Sequence, residues 1–198
     1  MNDKQTIAAY DRQAAKYAEL AKTDQAQQEL DGFLKLVSSQ GLILDLGCGP
    51  GHTAAEMIRR GFRVEAIDAS PEMARLANDT YGLDVRVGDF GIIQDVDRYD
   101  GVWASFSLLH AAREECPLLL SNLHRALRPS SAMFLGMKLG SGEERDTLGR
   151  HYTYYSEEEL VQLLGVTGFD VLSTTLGEGL GLAGHVEPWI TIIARRAD

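Results

Sequence analysis

The stretch Ile43-Leu44-Asp45-Leu46-Gly47-Cys48-Gly49-Pro50-Gly51 constrains this chain most: a short apolar run passes into three alternating glycines, then into a helical pattern from His52. Such a strand, feeding a helix through a glycine turn, opens a parallel sheet. Its glycines permit main-chain conformations closed to other residues and let a ligand lie directly on the backbone. The rhythm continues downstream, with helix His52–Arg60, strand Arg63–Ile67, and helix Pro71–Asn78 capped by Ser70. Strands are predicted near Asp84–Val87, Gly101–Ser105 and Ala132–Met137, with a helix over Glu114–Leu127 before the last and Pro129 as its stop. Ser156-Glu157-Glu158-Glu159 is a capping box before Leu160, Leu163 and Leu164, and Gly168 terminates that helix. Phe169–Thr175 and Trp189–Ala194 finish the chain with no helix between them, so they should pair antiparallel.

Upstream, residues 6–38 read as two helices. Ile7, Tyr10, Ala14 and Tyr17 recur at helical spacing, as do Leu30, Phe33, Leu34 and Val37, with Thr23-Asp24 as the break. The expectation is one α/β domain over 1–198, with 1–38 a helical cap and 39–198 the core. The core is a doubly wound, seven-stranded, mostly parallel sheet with an antiparallel last strand and helices on both faces. Ligands of such sheets bind at the carboxyl ends of the strands, where strand order reverses.

Charge and composition narrow the partners. Nineteen Lys and Arg against 29 Asp and Glu give a net charge of -10, which repels polyanions and argues against nucleic acid. No apolar run approaches the roughly 20 residues that cross a bilayer, and the first twenty residues are too polar for a signal peptide. A cytoplasmic protein, monomer or homodimer, without a membrane partner is expected. Cys48 and Cys116 lack metal-ligand spacing and read as free thiols, and no histidine pair sits at i, i+4, so no metal is expected.

Asp68 falls 17 residues after Gly51, at the end of the next strand, where a carboxylate can accept hydrogen bonds from two ribose hydroxyls. In Gly47-Cys48-Gly49-Pro50-Gly51 the third glycine comes one position early for a nicotinamide dinucleotide fingerprint. Asp45 is awkward beside a pyrophosphate and suits a cation. The pattern points to a positively charged, phosphate-free adenosyl cofactor.

On these residues the chain resembles the class I S-adenosylmethionine-dependent methyltransferases, Rossmann-like in fold, and especially their small bacterial single-domain members. The resemblance runs over roughly residues 40–196. It is carried by Leu44–Gly51, Ala66–Met73, Gly88-Asp89-Phe90, Tyr99–Trp103, Ser107–His110 and Leu123–Pro129. It implies that Gly47, Gly49 and Gly51 approach the methionine and ribose portions of the cofactor beside Asp45, and that Asp68 and Ala69 hold the ribose with Met73 packed nearby. Asp89 and the Phe90 backbone would read the adenine edge, and Ala104 or Ser105 would offer backbone oxygen to the amine. Arg128-Pro129-Ser130-Ser131 replaces the usual double glycine after the proline.

Activity implied by the resemblance is methyl transfer to a small-molecule acceptor by in-line displacement. His110, just past the fourth strand, is the candidate catalytic base, the alternative being a hydrogen-bonded histidine that orders its loop. Tyr10 and Tyr17 are core residues or a lid, and His124 is structural. Segment 140–155 is a solvated loop or a substrate wall, and 177–185, with four glycines in nine residues, is a floppy hairpin or a flap. Two other readings stay open: a nicotinamide-dependent oxidoreductase, and a non-catalytic module that binds the cofactor for regulation.

Overall fold

The computed structural model describes residues 3–19 and 23–197. Seven strands form one sheet: β1 (Leu42–Leu46), β2 (Arg63–Asp68), β3 (Val85–Val87), β4 (Tyr99–Ser105), β5 (Leu127–Lys138), β8 (Phe169–Leu180) and β9 (Val186–Arg196). Their order is β3-β2-β1-β4-β5-β9-β8. All pair in parallel except β9, which runs antiparallel to both β5 and β8. The order reverses between β1 and β4, opening a crevice at their carboxyl ends.

Alternation along the strands feeds two cores. Ile43, Trp103 and Phe134 point to one face and meet Leu30, Phe33 and Leu34 of α2 (Asp24–Leu34) and Met57 of α3 (His52–Arg59). Trp103 stacks on Phe134 with centroids 3.7 Å apart. Leu44, Val102, Met133 and Leu135 point the other way, toward Leu120 and Leu123 of α5 (Cys116–Ala126) and Leu160 and Leu164 of α6 (Glu157–Val166). Burial on both sides explains why these strands read as unbroken apolar runs.

The strand and helix expectations hold with shifted ends. α5 starts at Cys116 and gives out at Ala126, so Pro129 lies already within β5. Ser130 has φ of 60°, a left-handed conformation that a glycine would adopt without cost. Of the two readings of 140–155, solvated loop or substrate wall, the structure overturns the first: β6 (Glu143–Arg145) pairs antiparallel with β7 (His151–Thr153), and Arg150, Tyr152, Thr153, Tyr154 and Tyr155 are buried. The glycine-rich stretch after β8 begins is likewise no floppy hairpin, because β8 and β9 pair in register as far as Leu180 and Val186. Helix α1 (Lys4–Ala18) crosses the carboxyl ends of the strands and reaches α4 (Pro71–Tyr81), where Asp11 Oδ1 accepts from Ser70 Oγ at 2.5 Å.

Candidate active site

The turn after β1 is shaped by its glycines. Gly47 has φ of 76°, and a Cβ there would stand 2.4 Å from Ser107 Cβ. Gly51 has φ of 84° and would collide with Leu83 of the α4–β3 connection. No other residue fits either position. Backbone N–H groups of Gly47 and Cys48 donate to Ile67 O, which ties this turn to the end of β2.

Asp68 makes the second tie. Its Oδ2 accepts from Gly49 N at 2.7 Å and its Oδ1 from Ser70 N at 2.8 Å. Burial nevertheless raises its pKa, and those two N–H groups oppose the rise. Asp45 is 2% exposed and its Oδ2 has no hydrogen-bond partner. Burial, and then the nearby Asp68, push its pKa to about 7, against one N–H from Ala54. Ser107 Oγ is a second buried atom without a partner.

These groups surround a cavity of about 560 Å³ including its open mouth. Gly47, Gly49, Asp68 and Ala69 line its floor, Met73 and Phe90 one flank, and Ser105, Phe106, Ser107 and His110 the other. Thr6, Ile7, Tyr10 and Tyr17 of α1 form the roof. Of the sequence candidates, Asp45, Gly51, Asp89 and Ala104 do not reach the wall. Asp89 instead caps the short turn Phe90–Ile92, accepting from Gly91 N at 2.9 Å.

His110 is 5% exposed and engaged on both nitrogens. Nδ1 lies 2.6 Å from His151 O, a carbonyl that can only accept, so the proton sits there. Nε2 therefore accepts from the Tyr10 hydroxyl at 2.7 Å, and Arg150 Nη1 donates to the same hydroxyl at 3.3 Å. Burial drives the His110 pKa down to about 3, against the hydrogen bond to His151. The imidazole stays neutral with no lone pair free in this conformation. Its visible task is to join the turn after β4, helix α1 and the β6–β7 hairpin.

That hairpin also clamps α1 directly. His151 N donates to Thr6 Oγ1 at 2.8 Å, and Arg145 pairs with Asp3 at 2.8 Å. At its other end Ala18 O accepts from His52 Nε2 at 3.0 Å. Sequence reasoning found the loop, Asp68 and, in the 140–155 segment, Arg150, but missed Thr6, Ser107 and Phe106 as wall residues. Phe106 adjoins the expected Ser105, and that adjacency was its only signal.

The groups present fit a cationic adenosyl ligand: a glycine backbone clear of side chains, a carboxylate with lone pairs facing the cavity, and two buried oxygens lacking donors. Among the described residues no cluster of side chains is arranged to hold a metal, and no helix is long and apolar enough to cross a membrane.

Comparison with known proteins agrees. Residues 43–130 match the family model of the methyltransferase domain. An uncharacterised methyltransferase of Staphylococcus carnosus is 28% identical over 127 residues, covering 64% of this chain and 60% of that protein. Trans-aconitate 2-methyltransferase of Mycobacterium tuberculosis is 45% identical over 64 residues, 29% of this chain and 24% of that protein. The chain thus matches less than two thirds of either relative's length. In structure it is similar to a Burkholderia thailandensis 1,6-didemethyltoxoflavin-N1-methyltransferase, solved with 1,6-didemethyltoxoflavin and S-adenosylhomocysteine. The TM-score is 0.77 at 24% identity, over 97% of this chain and 85% of that one. Residues 43–130 of this chain thus match a methyltransferase domain, set in the Rossmann-like fold that its sequence led us to expect.

Proposed function

We propose that the whole chain is a methyltransferase that moves a methyl group from S-adenosylmethionine to a small-molecule acceptor, in the cytoplasm, as a monomer or homodimer. Residues 1–38 are its cap and 39–198 its core. One observation carries the reading: the glycine turn and Asp68 floor a roofed cavity whose wall includes the buried, unpartnered Ser107 Oγ. S-adenosylmethionine supplies a methyl group on a sulfonium, which passes to a nucleophilic atom in line as the C–S electron pair returns to sulfur.

Each part of the chain then has a task. Asp68 keeps lone pairs for the ribose hydroxyls while the N–H groups of Gly49 and Ser70 fix its orientation. Asp45 takes on negative charge once a cation neighbours it, and Ser107 Oγ gains a donor. Met73 and Phe90 pack on the adenine, with Asp89 holding the turn that presents Phe90. Helix α1 excludes water. His110 acts as a positioning residue through Tyr10; to work as a base it must first part from that hydroxyl.

Thermal melts with S-adenosylhomocysteine and with NAD test the reading. The nucleoside thioether should raise the melting temperature and NAD should not. Stabilisation by NAD alone would replace this assignment with an oxidoreductase.

A further inference from the structure

A second cavity, about 790 Å³ including its mouth, adjoins the first. Tyr10, Tyr17 and Phe106 line both, so the two spaces meet at these three rings. The far wall holds Trp189, Tyr152, Lys138 and Arg150. None of these four lines the first cavity.

This wall is built with care for position. The Trp189 indole lies across two glycines: a Cβ at Gly177 would stand 2.3 Å from its Cζ2, and one at Gly179 3.2 Å from its Nε1. Those glycines belong to the stretch that sequence left open as hairpin or flap. Phe106 has φ of 53°, a left-handed conformation that a bulky residue keeps only where its surroundings impose it. Its ring meets Trp189 edge-on at 6.4 Å. Lys138 Nζ sits 3.8 Å from the Tyr152 ring centroid and pairs with Glu187. Arg150, 3% exposed, is held by Asp146 at 2.7 Å and lies 5.2 Å from the same ring. The cavity is therefore lined by two cations and one carboxylate, Glu187, in a protein whose net charge is -10.

Resting on the methyltransferase reading, the geometry points to a flat, conjugated anion as the methyl acceptor, its π-system against Trp189 and Phe106 and its negative group toward Arg150 and Lys138. Arg145 and His151, also in this region, do not line the cavity and pair with Asp3 and Glu143. An acceptor already anionic has no proton to lose. The conjugated system carries its charge to the atom that faces the first cavity; a lone pair on that atom forms the bond to the methyl carbon, the C–S pair goes to sulfur, and the negative and sulfonium charges cancel. A crevice whose one histidine is neutral and bonded on both nitrogens suits that chemistry.

Titration calorimetry of the full chain with cinnamate, cinnamamide and cyclohexanecarboxylate, with and without saturating S-adenosylhomocysteine, reads charge and flatness separately. Cinnamate should bind at least tenfold tighter than either analogue. Lys138→Met and Arg150→Met should each weaken it at least fivefold, and Glu187→Gln, which frees Lys138, should tighten it. If Arg150→Met unfolds, Lys138→Met carries the comparison. Equal binding of cinnamamide overturns the anion, equal binding of cyclohexanecarboxylate overturns the flat ring, and no binding of any probe at millimolar concentration overturns both. S-adenosylhomocysteine is titrated separately, and its failure to bind sinks the methyltransferase reading without touching the selectivity measured for the second cavity.

Discussion

Two carboxylates near the glycine turn are held in opposite ways, and that difference predicts different behaviour on substitution. Asp68 is already bonded by two backbone N–H groups, so Asp68→Asn removes the charge and one acceptor together. Hydrogen bonds to a charged group contribute about 1.5–3 kcal/mol, so S-adenosylhomocysteine affinity should fall roughly ten- to hundredfold by calorimetry. Asp45 lacks a partner at Oδ2, and burial raises its pKa from 3.8 to about 7. A carboxyl whose folded-state pKa is raised contributes stability that is full below the unfolded value and is lost as pH climbs through the folded value. The window is therefore about pH 4 to 7, and the amount is on the order of 4 kcal/mol. Asp45→Asn in the unliganded protein should gain on the parent chain in thermal melts between pH 5 and pH 8. A gap that stays constant across that range would remove burial of this carboxyl as the cause.

Helix α1 and the β6–β7 hairpin hold each other by contacts of unequal weight. Arg145–Asp3 involves an arginine 41% exposed, and such pairs contribute about 0–1 kcal/mol. Thr6 is 1% exposed and accepts from His151 N, so Thr6→Val leaves a buried N–H unpaired at a cost of about 1–3 kcal/mol. Hydrogen exchange over residues 4–18 should accelerate markedly in Thr6→Val and little in Arg145→Ala; the reverse order would mean that the ion pair is the latch. In α6 the contrast is with Gly165, where an added Cβ meets nothing within 4 Å and φ is not positive. Gly165→Ala should stabilise by about 0.5–1 kcal/mol in denaturant melts. The same division between local and distant causes decides what the sequence discloses. β1, β4 and the glycine turn are legible because burial on both faces and left-handed backbone leave their mark on adjacent residues. β6 and β7 leave none: Glu143-Glu144-Arg145 is exposed, and the strand forms because Tyr152 and Arg150 reach partners on α1 and β5. The crevice floor is local and readable, whereas its roof and far wall join residues such as Tyr10, Phe106 and Trp189, which meet only after folding.

Across the molecule as a whole, the field is set by 29 acidic against 19 basic residues, and it acts on the ligands before any contact forms. S-adenosylmethionine carries one net positive charge, from its sulfonium and ammonium against one carboxylate, while S-adenosylhomocysteine is a neutral zwitterion of nearly the same shape. Both must pass the roof that α1 makes between α4 and the hairpin, so contact terms and roof opening are common to them. Only the long-range attraction differs. That attraction reaches about 30 Å at 10 mM ionic strength and about 8 Å at 150 mM. Association of S-adenosylmethionine, followed by stopped-flow tryptophan fluorescence, should therefore slow severalfold as salt rises over this range, while that of S-adenosylhomocysteine should scarcely change. If roof opening limits entry, both rates level off with ligand concentration at the same ceiling, and the salt effect survives only in the concentration-dependent part below it. Equal salt sensitivity for the two ligands would show that the acidic surface does not steer the cofactor, and that Asp45 and Asp68 discriminate only after it has entered.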